Sequence, residues 1–155
     1  MFLLALFIGF FGGLRSLTAP AATAWAVYLG WLKREGSLAL VGSVPSVATL
    51  TVLAIMELVA DKLPRTPSRT APLGLIARIV TGGLTGACVA AGAAQGVFFG
   101  VLPGAIGGVA GCFLGYWART GIVKALATRD IYIALLEDLV AIVGSVAVLR
   151  WIGMD

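Results

Sequence analysis

The chain contains no histidine and only two cysteines, Cys88 and Cys112, each of which stands alone in an apolar stretch. Zinc sites, haem ligation by histidine and Ser–His or Cys–His nucleophiles all depend on these residue types. The sequence therefore excludes or nearly excludes such chemistry. We expect no metal, no cofactor and no catalytic residue.

Charged residues are also few, because they make up 12% of the 155 residues while hydrophobic residues make up 60%. Soluble domains hold about 25% and about 45–50% of these classes. A soluble domain of this size cannot bury so much apolar surface, and the apolar runs are continuous rather than alternating as in barrel strands. The composition predicts an all-α, polytopic transmembrane helical bundle that forms a single integral membrane domain over residues 1–155.

Five segments have the length and composition of membrane spans, which need about 20 mainly apolar residues. The predicted helices, named A to E, cover residues 2–31, 46–63, 73–94, 97–118 and 131–150. The N-terminal apolar run has no preceding basic residues, so we interpret it as part of helix A rather than as a signal peptide. Asp130 is the predicted N-cap of helix E.

Lysine and arginine are concentrated in the loops that join B to C and D to E. These loops hold Lys62, Arg65, Arg69, Arg119, Lys124 and Arg129, whereas the opposite side holds Lys33, Arg34 and Arg150. Because cytoplasmic loops carry the excess of positive charge, this distribution predicts a cytoplasmic N-terminus and a C-terminus outside. It also accounts for the net charge of +4, so no nucleic-acid partner is expected.

Helix A is predicted to be interrupted, because glycines 12–13 and Pro20 bracket the only basic residue of that span. Arg15 lies roughly 21 Å from the N-terminus at about 1.5 Å per residue, where an unpaired charge is costly. Either the helix breaks around a polar pocket that exposes Ser16 and Thr18 to a ligand, or Arg15 has an acidic partner. A plain proline kink is the remaining alternative.

Three predicted helices bring charged residues to one depth, about 10 Å from the cytoplasmic ends at 1.5 Å per residue. These residues are Glu57 in B, Arg78 in C, and Glu137 and Asp138 in E, with Asp61 one turn from Glu57. Charges at such depth mark ion paths, proton relays or substrate sites; the alternative is a structural ion-pair cluster. We expect Arg78 to contact Glu137 or Asp138.

The loop between B and C holds two Arg–Thr pairs and three prolines in residues 63–72. Its arginines, Arg65 and Arg69, could bind lipid phosphate or an anionic solute. The alternative is that they anchor the topology.

Glycines recur at every fourth position in helices C and D, a glycine-zipper pattern that lets neighbouring backbones approach. The predicted helix-packing residues are Gly82, Gly86, Gly104, Gly108, Gly111 and Gly115. Packing within one chain, contact between subunits of a homo-oligomer and a glycine-lined solute path are the alternatives.

A weak internal repeat relates helices A–B to helices D–E. Residues 9–13 (GFFGG) match residues 104–108 (GAIGG), and residues 57–60 (ELVA) match residues 137–141 (EDLVA) with one insertion. The two pairs have opposite predicted topologies, as in the inverted repeats of transporters. Chance recurrence of Gly and Ala is the alternative.

Three stretches carry a family resemblance: residues 13–25 (GLRSLTAPAATAW), 57–83 (ELVADKLPRTPSRTAPLGLIARIVTGG) and 134–144 (ALLEDLVAIVG). In these the chain resembles an uncharacterised bacterial integral-membrane family, domain of unknown function 4126. The resemblance implies a small multi-pass protein of the bacterial inner (plasma) membrane. It supplies no established activity and no catalytic roles.

The leading functional hypothesis is a small membrane transporter or channel for an ion or small solute, with a buried carboxyl as proton or cation site. The second is a non-transporting scaffold or lipid-binding protein whose partner is the bilayer. The third, an intramembrane enzyme with a carboxylate pair, is the least favoured, because the Gly-x-Gly-Asp signature of intramembrane aspartyl proteases is absent.

Overall fold

The computed structural model describes residues 1–33, 36–62 and 70–154, in which there are seven α-helices and no strand. The helices are α1 (Phe2–Leu14), α2 (Thr18–Tyr28), α3 (Leu38–Val41), α4 (Val44–Ala60), α5 (Pro72–Gly92), α6 (Phe98–Leu126) and α7 (Asp130–Ile152). The all-helical class agrees with the prediction, but the count of about five does not. Predicted helix A is divided into α1 and α2, and the connector that follows it contains the short α3.

Three helices, α5, α6 and α7, are long and apolar enough to cross a membrane. Only 22% of the most apolar window of α7 is buried inside the protein. Large apolar side chains lie on the outside, as shown by Leu73 (81% exposed) and Phe98 (88% exposed), whereas Arg15 is fully buried. Because this arrangement reverses that of a soluble domain, it indicates a membrane protein.

The first two helices form an antiparallel hairpin. The start of α1 lies beside the end of α7, where Ala5 and Ile152 belong to one buried cluster. The chain turns at Arg15, which reaches the N-terminal half of α7, and α2 then returns so that Trp31 contacts Gly153 beyond the end of α7. The prediction that residues 2–31 form one interrupted passage is therefore wrong, since the break reverses the chain.

Local sequence explains where the hairpin turns. Helix α1 ends at Leu14, and Arg15 has an extended backbone (φ −140°, ψ 115°). Pro20 lies in the first turn of α2, where its missing N–H leaves no helical hydrogen bond unmade. Pro20 therefore helps to start a new helix instead of kinking an existing one. We call Arg15, Ser16 and Leu17 the hairpin tip.

Glycines bring α1, α5 and α6 into backbone contact. A Cβ atom at Gly82 would lie 2.5 Å from the carbonyl oxygen of Gly104, and one at Gly86 would overlap the carbonyl of Gly100. A Cβ atom at Gly9 would overlap the carbonyl of Gly104 from the other side. Helix α6 therefore packs closely on both α5 and α1.

The other predicted packing glycines lie along the same helix. A Cβ atom at Gly108 would overlap the carbonyl of Arg78, and one at Gly111 would overlap that of Phe10, while Gly115 is buried. Gly13 lies against Gly108. Since Gly9 meets Gly104 and Gly13 meets Gly108, α1 and α6 run in the same direction. An inverted repeat requires opposite directions, so the structure gives the predicted repeat no support.

The hairpin occupies the centre of the bundle. Helix α1 packs against α5, α6 and α7, while α2 packs against α4, α5 and α7. The tip lies at the same end as the end of α4, the start of α5 and the connection from α6 to α7. The opposite end holds the start of α1, the turn at 93–97 and the end of α7. The start and the end of the described chain thus lie at one end of the bundle, not at opposite ends as the sequence predicted.

Candidate functional site

Arg15 is fully buried at the hairpin tip and faces three carboxylates. Its Nη1 pairs with Oδ2 of Asp61, its Nε lies 2.6 Å from Oδ1 of Asp138, and its Nη2 lies 3.9 Å from Oε2 of Glu137. The Nε–Asp138 contact lacks hydrogen-bond alignment, so it acts through charge attraction. One guanidinium thus links the tip to the end of α4 and to α7.

Two further cations extend this set of ion pairs. Nζ of Lys62 lies 2.5 Å from Oδ2 of Asp138. Nη1 of Arg119 lies 3.2 Å from Oδ2 of Asp61 and 3.7 Å from Oε2 of Glu137. Sequence reasoning assigned Lys62 and Arg119 to topology alone and missed them as site residues. The signal in the sequence was that Lys62 directly follows Asp61 and that Arg119 directly follows the predicted end of helix D.

Arg119 connects the buried charges to the surface. Its Nε and Nη2 donate to the two carboxylate oxygens of Asp130 at 2.8 and 2.6 Å, and the Asp130 side chain is 60% exposed. Asp130 is the first residue of α7 and Arg129 is its N-cap, so the predicted capping role of Asp130 is wrong. Its carboxylate instead belongs to a continuous series of paired charges. We call this series the charge cluster; it comprises Arg15, Asp61, Lys62, Arg119, Asp130, Glu137 and Asp138.

The Glu57 carboxylate binds neutral N–H and hydroxyl groups of the hairpin tip. Its Oε1 accepts hydrogen bonds from the backbone N–H of Ser16 at 2.8 Å and from the Ser16 hydroxyl at 2.6 Å. Its Oε2 accepts from the N–H of Leu17 at 2.8 Å. These N–H groups precede α2 and have no helical acceptor. The Glu57 carboxylate therefore takes the place of an N-cap, and it also lies at the positive end of the α2 dipole.

Arg78 holds the other side of the tip. It is buried, and its Nε donates to the carbonyl of Gly13 while its Nη1 donates to that of Gly74, both at 3.0 Å. Glu137 and Asp138 pair with Arg15 instead. The predicted contact of Arg78 with these acids is therefore wrong. Helix α1 packs against both α5 and α7 and lies between Arg78 and those acids.

The remaining predicted residues are placed as follows. Ser16 binds Glu57, as described. The Thr18 hydroxyl is buried and has no hydrogen-bond partner among the residues that the structure describes. The same is true of the hydroxyl of Ser145 in α7, which sequence reasoning did not single out. Arg65 and Arg69 lie outside the described residues.

Two apolar grooves lie beside the hairpin. The first, of about 360 Å³, lies between α2, α4 and α7 and is lined in part by Thr18 and Trp25. The second, of about 250 Å³, lies between α1, α6 and α7, and its lining includes Arg119 and Glu137. The second groove therefore brings an apolar surface to the charge cluster.

Comparison with protein-family models, curated proteins and solved structures gives no match to this chain. Among residues 1–33, 36–62 and 70–154, no three His, Cys, Asp or Glu side chains are grouped so as to hold a metal ion. The chemistry that the described site can perform is acid–base and ionic. Carboxylates and an ammonium are groups that can take up or release protons, whereas guanidiniums remain charged and contribute ionic attraction in a low-dielectric interior.

Proposed function

We propose that this protein is a small transporter or channel for an ion or small solute, as the leading hypothesis from the sequence states, and that a buried carboxyl serves as proton or cation site. The observation that carries the proposal is the charge cluster at the tip of a buried hairpin, in a molecule whose outer surface is apolar. Ionisable residues at membrane depth are rare and are associated with ion and proton paths. Membership of the bacterial inner-membrane family that the chain resembles is part of the proposal.

The hairpin provides the barrier of the proposed path. On the tip side the cluster is continuous from Asp130 at the surface to buried Arg15. On the other side the hairpin is sealed by apolar packing, which includes Ile8, Val27 and Leu149. Passage of a solute therefore requires the hairpin to move relative to α4 and α7, as discontinuous helices do in transporters.

The positive-inside rule sets the orientation that we propose. Among the described residues, Lys62, Arg119, Lys124 and Arg129 lie at the tip end, whereas Lys33 and Arg150 lie at the opposite end. This end should face the cytoplasm. Because the start of α1 and the end of α7 lie at the opposite end, both should face outside, which replaces the predicted cytoplasmic N-terminus.

Flux measurements test the proposal. The purified protein is reconstituted in liposomes that contain a pH-sensitive dye, and proton movement is recorded under imposed gradients of protons, Na⁺ and K⁺. We expect flux above that of protein-free liposomes, strongly reduced by Glu137→Gln. The matched control Arg150→Gln changes a surface charge that lies 4.9 Å from the Trp31 ring and should transport like the parent. Absence of flux under every gradient would contradict transport.

The apolar grooves favour one alternative, a non-transporting lipid-binding protein. Each groove is open between helices and has the volume of part of an acyl chain. Native mass spectrometry of the protein in a mixed-lipid detergent solution would report retained lipids. Tight lipid retention together with an absence of flux would favour this alternative.

A further inference from the structure

Thr18 carries a buried hydroxyl that the fold does not use. The residue is 6% exposed, and its Oγ1 has no hydrogen-bond partner among the residues that the structure describes. By contrast, the hydroxyls of Thr23 in α2 and Thr51 in α4 donate to the carbonyls of Ala19 and Val47, four residues earlier. Thr18 is the first residue of α2, so this helix offers it no such carbonyl. A buried hydroxyl without a partner costs free energy unless a bound molecule supplies one.

Thr18 lies at one end of the apolar groove between α2, α4 and α7. Helix α2 forms the floor of this groove, and α4 and α7 each pack on α2. The lining follows α2 from Thr18 through Trp25 to Leu29, and it includes Leu58 of α4 and Val146 of α7. Among the described residues that line the groove, none carries a charge. The unused hydroxyl is thus next to a long apolar surface.

The groove has the dimensions of a single hydrocarbon chain. Thr18 and Leu29 are eleven residues apart along α2 and its C-cap, or about 16 Å at 1.5 Å per residue. The volume of about 360 Å³, spread over this length, gives a mean width of about 5 Å. An α-helix with its side chains is about 10–12 Å across, whereas packed carbon atoms lie about 4 Å apart. The groove is therefore too narrow for a helix of a second copy and admits one chain.

The polar end of such an occupant should be uncharged. Thr18 follows the hairpin tip, where the N–H of Leu17 donates to Glu57, and a charged head group there would lose its hydration without a counter-charge in the lining. A threonine hydroxyl can donate one hydrogen bond and accept others. Threonine in a helix has two accessible χ1 rotamers, so the Thr18 hydroxyl can turn to meet a ligand in the groove that it lines.

We propose that this groove binds a neutral amphiphile with one hydrocarbon chain, the class of a long-chain alcohol, whose polar end hydrogen-bonds to Thr18 while its chain lies along α2. The site goes beyond the proposed function, because it involves no member of the charge cluster and binding needs no transport. A phospholipid is a poorer occupant. Its charged head group stays at the membrane surface, so only the end of an acyl chain reaches Thr18 and the hydroxyl stays unpaired.

Quenching of tryptophan fluorescence tests the site, because Trp25 and Trp31 both line the groove. The protein in lipid nanodiscs is titrated with ω-bromoundecanol, whose bromine quenches nearby indole rings, and then with undecanol as competitor. Concentrations are compared as mole fractions in the bilayer. We expect quenching that saturates and that the competitor reverses. Bromoundecane, which has no polar group, should bind about fivefold or more weakly, since it leaves the Thr18 hydroxyl unpaired.

Thr18→Val is the decisive variant, because it replaces the hydroxyl by a methyl group. It removes a buried polar group that has no described partner, so it should unfold at the temperature of the parent or above. The alcohol should bind to this variant about as weakly as bromoundecane binds to the parent. Thr81→Val is the matched control. The Thr81 hydroxyl donates to the carbonyl of Ala77 within α5 and is not part of the groove lining, so alcohol binding should equal that of the parent.

Equal affinity of the alcohol for the parent and for Thr18→Val would overturn the proposal, as would quenching that never saturates. Phosphatidylcholine brominated in its acyl chains, added as a minor lipid, should quench in proportion to its mole fraction; saturation at a low fraction would instead identify a phospholipid site and overturn the proposal. Tighter binding of ω-bromoundecanoate than of the alcohol would contradict an uncharged ligand. No gradient is imposed, so failure of this site and failure of transport are observed separately.

Discussion

A buried arginine is stable only where other groups replace the water that it loses. For Arg15 these groups are the carboxylates of Asp61, Asp138 and Glu137. Each of these acids has a second cation in Lys62 or Arg119. Loss of Arg15 alone should therefore lower the stability more than loss of Arg15 together with one of its acids. The free energy of unfolding measures the difference.

Arg15→Gln should lower the free energy of unfolding by about 3–5 kcal/mol, because it leaves carboxylates buried with fewer counter-charges. Adding Asp61→Asn should recover part of that loss. In the double variant Asp138 keeps Lys62, and Glu137 keeps Arg119. Denaturant unfolding in detergent, followed by circular dichroism, measures both effects.

Arg150→Gln is the control for these variants. It removes a guanidinium that lies over the ring of Trp31, a contact that contributes about 0.5–1 kcal/mol at an exposed site. If the double variant is less stable than Arg15→Gln alone, the coupling between Arg15 and Asp61 is not the one described.

The sequence predicted the acids of the site better than its cations. Counting residues from the span ends placed Glu57, Glu137 and Asp138 at one depth, and the structure gathers them around the tip. The sequence also indicated that Arg15 needs an acidic partner. It could not show that α1 would separate Arg78 from α7, because depth along a helix contains no information on which helices are neighbours.

At the scale of secondary-structure elements, the turn between α5 and α6 contains an alanine with a strained backbone conformation, which a substitution can relieve. Ala94 has φ 55°, in the left-handed region, and the N–H of Gln95 donates to the carbonyl of Ala90 at 2.9 Å. This is the helix-ending geometry in which glycine is preferred.

Ala94→Gly should therefore raise the stability by about 0.5 kcal/mol, because the relief of left-handed strain exceeds the added entropy of the unfolded chain. Ala94 is exposed, so no packing is lost. Ala93→Gly is the control, since φ at Ala93 is −91° and the substitution should be neutral or destabilising. A thermal shift of equal sign and size in both variants would contradict the explanation.

The contact of α6 with α1 and α5 gives a second prediction for helix packing. Gly104→Ala places a Cβ atom on the carbonyl of Gly82, and overpacking of this kind costs about 1–3 kcal/mol. Gly121→Ala on the same helix meets nothing within 4 Å and should gain up to about 1 kcal/mol from helix propensity. Both are measured by denaturant unfolding in detergent, and a stabilising Gly104→Ala would refute the close contact.

Helix positions could be predicted from the sequence, but chain direction could not. Predicted helices B, C and E lie within a few residues of α4, α5 and α7. The glycine pair and Pro20 correctly marked a break. A proline in a first turn is compatible both with a kink and with a reversal, however, and only the packing of α1 on α6 decides between them.

At the scale of the whole molecule, the hairpin lengths agree with a segment that enters the membrane without crossing it. Helix α1 has 13 residues, or about 20 Å at 1.5 Å per residue. Glu137, which faces the tip, is seven residues from the start of α7, about 10 Å by the same rise. The length of α1 and the distance from the tip to the start of α7 add up to about 30 Å, which is the hydrocarbon thickness of a bilayer. From these lengths we predict that the tip ends about 10 Å short of the membrane boundary on its side.

This geometry predicts that the start of α1 and the end of α7 are exposed on the same side of the membrane. Single cysteines replace exposed residues in Phe2→Cys, Met154→Cys and Ala125→Cys, and intact cells are treated with a membrane-impermeant thiol reagent. Positive-inside orientation places Ala125, at the tip end of α6, in the cytoplasm. Phe2→Cys and Met154→Cys should react at once, whereas Ala125→Cys should react only after permeabilisation. The parent chain, whose Cys88 and Cys112 lie within α5 and α6, provides the blank. Reaction of Met154→Cys with protection of Phe2→Cys would mean that residues 2–31 cross the membrane after all, and the hairpin would have to be abandoned.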